Sequence, residues 1–400
     1  MVGKVESAFC FLRLQRFLLK GDNGVSKDIL NVAIVGTGYW GKNLVRNFAK
    51  AHRCILKYVC DQNEKLLAVQ KESFPFIATS TNLEEVLRDS EIDAVAIATD
   101  ATTHFEMAKK SIMAGKHTYV EKPLTLKASE AKVLIDLAKR KRIKLMVGHL
   151  LEYHPAVKYI KDLIENGEIG KPLYMYTQRL NLGIVRQDEN TWWSLAPHDI
   201  SVICYLFGSE PVSVTARGQC YLQTDIEDVV FATIDFADGK FASIHCSWLD
   251  PHKIRKMTIV GSKKMVTFDD MEPTEKIRMY DKTAEINHEA NTFAEFISLR
   301  FGNILIPEVK SEEPLAKECA HFIDCILDDK PVLSDGNDGL RVVQILEAGQ
   351  KSLKNNSIPV NLGDFECLNR RKGDILSMNQ RTSIKTVKSA AGQKSGIFHT

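Results

Sequence analysis

The sequence lacks most of the features that would place a protein in a special class. Its 53 Lys and Arg nearly cancel 51 Asp and Glu, for a formal charge of +2. Without a basic excess there is no electrostatic footprint for nucleic acid, and without an acidic one there is none for a solvating or cation-binding chain. No apolar run approaches the ~18 residues that a membrane span needs. The nine cysteines follow no short regular spacing, which reads as incidental thiols of a reducing, cytoplasmic setting rather than a disulfide framework. Metal-ligand spacings are missing too. Cys319, His321 and Cys325 share an apolar helical stretch, and His149 and His154 stand five apart outside any HExxH pattern. Both groups are expected in the core, with no structural metal.

What is present is ordinary for a globular chain: 400 residues, 44% hydrophobic and 26% charged, enough for two or three domains. The charge is unevenly placed. Residues 368–400 carry a net +6 and residues 1–30 a net +2, which leaves 31–367 at −6. The two ends therefore read as appendages. In residues 1–30, the segment Ser7–Leu19 has Arg13 and Arg16 where a cleavable signal would be apolar. The tail 368–400, rich in Ser, Thr, Lys and Gly, reads as a mobile basic segment.

Between the ends, the patterning changes once. From Asn31 to about 150, short β-branched runs (NVAIVG, AVAIAT) alternate with helical stretches, which predicts a parallel sheet covered on both faces. After 172, runs at Leu173–Leu180, Val212–Arg217, Asp228–Phe236, Phe241–Ser247, Lys256–Gly261 and Met265–Phe268 follow with few helices between them. They predict an α+β domain over 151–367 on a mostly antiparallel open sheet, with a hairpin at Asp238–Gly239. Helices at Val157–Asn166, His198–Phe207, Leu315–Leu327 and Leu340–Lys351 are assigned to one face of it.

Three segments carry chemistry. Gly36-Thr37-Gly38-Tyr39-Trp40-Gly41 is a GxGxxG between strand and helix, the arrangement that turns backbone N–H groups toward a pyrophosphate. Asp61 ends the second strand twenty residues later, where a carboxylate meets an adenine ribose. No cation follows it to offset a 2′-phosphate, so NAD is expected rather than NADP. Glu121-Lys122-Pro123 follows a strand at the carboxyl edge of the sheet, where open α/β folds bind ligands. His198, in Ala196-Pro197-His198-Asp199, is placed in the first turn of a helix with Pro near its start, where imidazolium is disfavoured. Trp192 and Trp193 are either core or a wall against a flat ring.

In order along the chain, GTGYWG, Asp61, Ile97–His104, EKP, GHLLEYHPAV (148–157), APHDIS (196–201) and DPHKIRKMTIVGSKKM (250–265) resemble the glucose–fructose oxidoreductase/inositol dehydrogenase (Gfo/Idh/MocA) family. The resemblance covers roughly Asn31 to Leu362. It implies a Rossmann domain, an α+β domain whose open sheet supports a homodimer or homotetramer, and an NAD-dependent dehydrogenase. Carried over by motif, Lys122 and His198 form the catalytic pair, and Thr99, His104, Glu121 and Trp193 join the glycine turn around the cofactor. Arg179, Asn181 and Asp199 face the substrate. The segments RLNLG (179–183) and RQDENTWWSLAPHDIS (186–201) are similar to a nucleotide-sugar branch that oxidises carbon 3 of UDP-N-acetylglucosamine or its uronate for surface polysaccharides. In that reading Arg179 and Arg186 supply cations for the diphosphate. One departure is Ser194, where many relatives carry Asp. Dehydrogenation of free sugars or inositols is the alternative, and a non-catalytic NAD sensor on the same fold is a third.

Overall fold

A computed structural model of the chain describes residues 28–286 and 297–363. Residues 1–27 of the N-terminal extension and the basic tail lie outside them, while the extension's last residue, Leu30, already belongs to the first strand. The first sheet has six parallel strands: β1 (Leu30–Val35), β2 (Cys54–Cys60), β3 (Ala78–Ser80), β4 (Ala94–Ile97), β5 (His117–Glu121) and β6 (Leu145–Gly148); β3, Ala-Thr-Ser, has no apolar run to mark it and was not read from the sequence. Their order is β3-β2-β1-β4-β5-β6, which puts the order reversal between β1 and β4, where doubly wound folds open a crevice. Every residue of β1 is buried, as covering helices on both faces require. The helices are α1 (Gly41–Lys50), α2 (Glu64–Ser73), α3 (Leu83–Arg88), α4 (Ala101–Met113) and α5 (Ala128–Lys141).

A short 3₁₀ turn, Leu150–Tyr153, and α6 (Pro155–Glu165) lead to the second sheet. Its order is β14-β13-β12-β11-β7-β10-β9-β8-β15, with β7 at Pro172–Leu180, β8 at Pro211–Gln219, β9 at Val229–Phe236 and β10 at Phe241–Ser247. Then come β11 (Ile254–Gly261), β12 (Met265–Asp269), β13 (Ile277–Ile286), β14 (Ile297–Leu305) and β15 (Val360–Asn361). All pairings are antiparallel except that of β7 with β10. The strands β13 and β14 extend the sheet beyond the runs read from sequence. Their charged residues hide the alternation, since Lys282 and Arg300 interrupt the apolar pattern.

Two helices depart from the sequence reading. The helix at His198 begins seven residues earlier: α7 is Thr191–Phe207, capped by Asn190, whose side chain accepts from Trp193 N–H at 3.1 Å. Asn before an apolar run is a strong start signal, and Pro197 lies inside the helix rather than at its start. The other is α8 (Pro314–Leu327), which packs into the first domain and not onto the second sheet. Its Phe322 meets Phe48 and Tyr119 edge-on at centroid distances of 6.4 and 5.9 Å. The last helix, α9 (Gly336–Lys354), joins both cores, contributing Val343 to one and Val342, Ile345 and Leu346 to the other.

Candidate active site

At the end of β1 the chain must reverse tightly, and only glycine permits the path. Gly36 has φ +88°, and a Cβ there would lie 2.6 Å from Ala98 O. A Cβ at Gly41 would overlap the Gly36 carbonyl, whereas one at Gly38 would meet nothing within 4 Å. The turn is thus closed on its inner side and open at Gly38, as a cradle for a pyrophosphate needs to be. Asp61 braces it: Oδ2 accepts from Thr37 N–H at 2.7 Å and Thr37 Oγ1 at 3.2 Å, and Oδ1 accepts from Asn63 N–H at 2.9 Å. These residues fit a dinucleotide. Tyr39 is exposed beside the turn. Trp40 turns inward and donates its indole N–H to Glu121 Oε1 at 2.6 Å.

Glu121 is buried, and Tyr119 Oη also donates to it at 3.1 Å. It therefore ties the glycine turn to β5 and is not presented to a ligand as a free carboxylate. His104 corrects its expected place beside the cofactor. It is fully buried, with Nδ1 2.8 Å from Pro123 O and Nε2 3.1 Å from Thr99 O. It is a strut between the loops after β4 and β5, and burial pushes its pKa down. Thr99 itself has its hydroxyl 2.7 Å from that of Thr103.

The strut aims Lys122 across the cleft, where Nζ donates to Ser194 O at 3.3 Å. Pro197 has no N–H for the carbonyl four residues back, and its ring crowds that turn. The adjacent carbonyl, that of Ser194, receives the lysine. Burial lowers the Lys122 pKa, while Glu189 and Glu121 pull it back up. One turn further along the helix is His198, half-buried. Its pKa is pushed well below the usual imidazole value, first by burial and then by Lys122, Arg179 and Arg255. The ring is neutral as the sequence reading requires, but by burial among cations and not by a helix N-terminus.

The substrate-side residues are held by one another. Arg179 and Asp199 line a small cavity with Arg255 and Asp270 and are ion-paired, with Nε–Oδ2 at 2.6 Å and Nη2–Oδ1 at 3.1 Å, both buried. Arg186 pairs with Glu189 at 3.0 Å. Asn181 follows directly on β7, its N–H bonded to Ser247 O at 3.1 Å. Trp193 is tied to α9 through its indole N–H, which donates to Gln350 at 3.1 Å. Trp192 is core, donating to Leu346 O at 3.0 Å.

Of two further residues at the cleft, Arg255 escaped the sequence reading, and His149 was read there only as a core residue. Arg255 stands directly opposite Arg179 in the β11–β7 register, a like-charge pair that is offset by Asp199 and by Asp270, 3.7 Å from Arg255. His149 follows β6 as Lys122 follows β5, since Glu121 pairs with Gly148. The shared edge position was the available signal. His154, by contrast, caps α6, accepting from Ala156 N–H at 3.0 Å.

The comparisons with known proteins agree with this geometry. Residues 30–149 match the family model of oxidoreductases with an NAD-binding Rossmann fold, and 157–267 match the GFO/IDH/MocA C-terminal domain. The chain is 28% identical over 321 residues to UDP-N-acetylglucosamine 3-dehydrogenase of Acidithiobacillus ferrooxidans, covering 78% of this chain and 94% of that one. It is 27% identical over 350 residues to the NAD(+) scyllo-inositol 2-dehydrogenase of Bacillus subtilis, covering 82% and 95%. The solved structure of the Acidithiobacillus ferrooxidans enzyme superposes with a TM-score of 0.70 at 25% identity, over 82% of this chain and 98% of that one. The chain belongs to the Gfo/Idh/MocA family and is an NAD-dependent oxidoreductase.

Proposed function

We propose that the protein oxidises carbon 3 of a UDP-linked N-acetyl sugar or its uronate, with Lys122 and His198 as the catalytic pair. The observation that carries the pair is the reach of Lys122 from the Rossmann edge to the helix turn that bears His198. NAD, held at the Gly38 turn, the start of α1 and Asp61, supplies the hydride acceptor. His198, neutral by burial, takes the proton of the sugar hydroxyl. Lys122 donates a hydrogen bond to the same oxygen and stabilises its alkoxide character. A ring so reluctant to stay charged then passes the proton on to Lys122 as the lysine, its pKa lowered by burial, releases one of its own to water, so that one proton leaves the site.

The substrate rests on the RLNLG and APHDIS segments and on the UDP-N-acetylglucosamine 3-dehydrogenase relative. One observation favours a free polyol instead. Arg179 and Arg186, the cations assigned to a diphosphate, are both already ion-paired, and inositol dehydrogenases stand among the relatives. Self-association through the second sheet is supported by its outer face, where exposed Tyr176, Phe231 and Phe241 lie on neighbouring strands.

Nicotinamide reduction is to be followed with UDP-N-acetylglucosamine, its uronate, glucose and myo-inositol, trapping the keto product. Turnover with free polyols alone rejects the nucleotide sugar. Lys122→Ala and His198→Asn should each lower turnover by at least ~100-fold while NADH affinity changes little. Near-full turnover of His198→Asn across pH 6 to 9 would remove His198 as the base.

A further inference from the structure

His149 stands at this cleft with chemistry that nothing yet uses. It is 2% exposed, and among the described residues neither ring nitrogen has a hydrogen-bond partner. Buried polar atoms are almost always paired, and an unpaired one costs stability. Its neighbours sharpen the point. His154, five residues on, is satisfied by capping α6, and His104 has a carbonyl at each nitrogen. His149 alone of the three is left open. The ring is neutral, since burial beside Lys122 lowers its pKa to about 3. A neutral imidazole offers one N–H donor and one lone pair.

Its place in the sheet says which ligand it meets. Asp61 ends β2 and the glycine turn follows β1, so a dinucleotide laid over the edge runs from β2 across β1 toward β4 and β5. Lys122 follows β5, and β6 is the next and last strand. His149 therefore stands on the far side of Lys122 from the adenine end, within the electrostatic reach of both Lys122 and His198. We propose that His149 is a third polar contact of the sugar, hydrogen-bonding a ring hydroxyl next to the one that reacts and so fixing which carbon is presented. This rests on reading the cleft as a sugar dehydrogenase site, and the partner that His149 lacks arrives with the substrate.

The test begins with the wild-type protein, NAD and the four compounds UDP-N-acetylglucosamine, its uronate, glucose and myo-inositol. Whichever is oxidised becomes the probe, so a failed nucleotide-sugar reading does not take His149 down with it. His149→Leu should lower kcat/KM for that probe by about 10–100-fold, the scale of a lost buried hydrogen bond, and His149→Gln should regain part. NADH affinity, by fluorescence titration, should stay nearly unchanged. Because no partner is lost in the free protein, the melting temperature of His149→Leu should equal or exceed that of wild type. Should the leucine variant not fold, His149→Phe, which keeps a flat ring, is read the same way. A lowered melting temperature with kcat/KM intact would make His149 a core residue and overturn the proposal. Weakened NADH binding with the sugar parameters intact would assign it to the cofactor and overturn it equally. A wild-type protein that oxidises none of the four compounds overturns both readings together.

Discussion

Asp61 on one side of the cleft and Arg179 on the other both bring charge toward a ligand in the sequence, yet their neighbours differ. Asp61 accepts from the N–H and hydroxyl of Thr37 in the glycine turn and from the N–H of its own neighbour Asn63. It keeps its charge unpaired by any cation among the described residues. Arg179 is locked to a carboxylate twenty residues away on another element, and both are buried. The cofactor side is made of backbone geometry and one free charge, so its function can be read from spacing. The substrate side is made of side chains that neutralise one another, so its charges report on stability before they report on ligands.

The sharpest break in that comparison is Asp199→Asn. Removing one member of a buried ion pair leaves the other uncompensated, which costs about 3–5 kcal/mol. The loss should appear in urea unfolding of the protein without ligand. Replacing both partners, as in Arg179→Met with Asp199→Leu, should recover much of it, because an apolar pair leaves no stranded charge. If Asp199→Asn keeps its stability and only raises KM for the sugar, Arg179 is poised for substrate as first expected.

How legible each side is follows from the same physics. The first sheet was readable because its central strands β1 and β4 are wholly buried apolar runs, and because Gly36 follows β1 and Lys122 follows β5 as motif residues. The glycine turn was readable because sterics leave no other residue at Gly36 and Gly41. The role of Trp40 was not, because its bond to Glu121 spans 81 positions. The start of α7 was misplaced because Pro197 mimics a first-turn proline, while Asn190 carried the true signal. His198 kept its predicted neutrality for a different reason, burial among Lys122, Arg179 and Arg255, which only the folded chain brings together. The pairing of Arg179 with Asp199 depends on β7 lying under α7, and no local pattern encodes that contact.

On the cofactor side, Asp61→Ala should have a smaller and different effect. Charge-assisted hydrogen bonds contribute about 1.5–3 kcal/mol, so NAD affinity should fall by about 10–100-fold, with discrimination against NADP relaxed. Titrating both cofactors into the variant and the wild type measures this. Unchanged NAD affinity, or NADP binding as tight as NAD in the wild type, would mean that Asp61 serves the turn alone.

The smallest effect lies at the seam, in the pH dependence of stability. Burial holds His149, His104 and His198 below the ordinary imidazole value, with His149 at about 3. In the unfolded chain each titrates near 6.5. Below that pH the unfolded state takes up protons that the native state refuses, so stability contributed by the neutral rings is lost as pH falls. Glu152 and Glu318 work the other way. Burial raises both well above the usual carboxylate value, so the native state keeps protons that the unfolded chain releases above about pH 4.3. Between about pH 4.5 and 6.5 the two sets oppose each other, and the net slope of the wild type is not diagnostic. A difference is. His149→Phe removes one neutral ring and nothing else that titrates, so the slope of its unfolding free energy against pH should be more negative than that of the wild type, by about 1.4 kcal/mol per unit near pH 4.5 and about half that at pH 6.5. Urea titrations of both proteins at pH 4.5, 5.5 and 6.5 supply the comparison. Parallel slopes would show that His149 protonates in the native state. The ring would then be open to water, and its hydrogen-bonding capacity would no longer be held in reserve for the sugar.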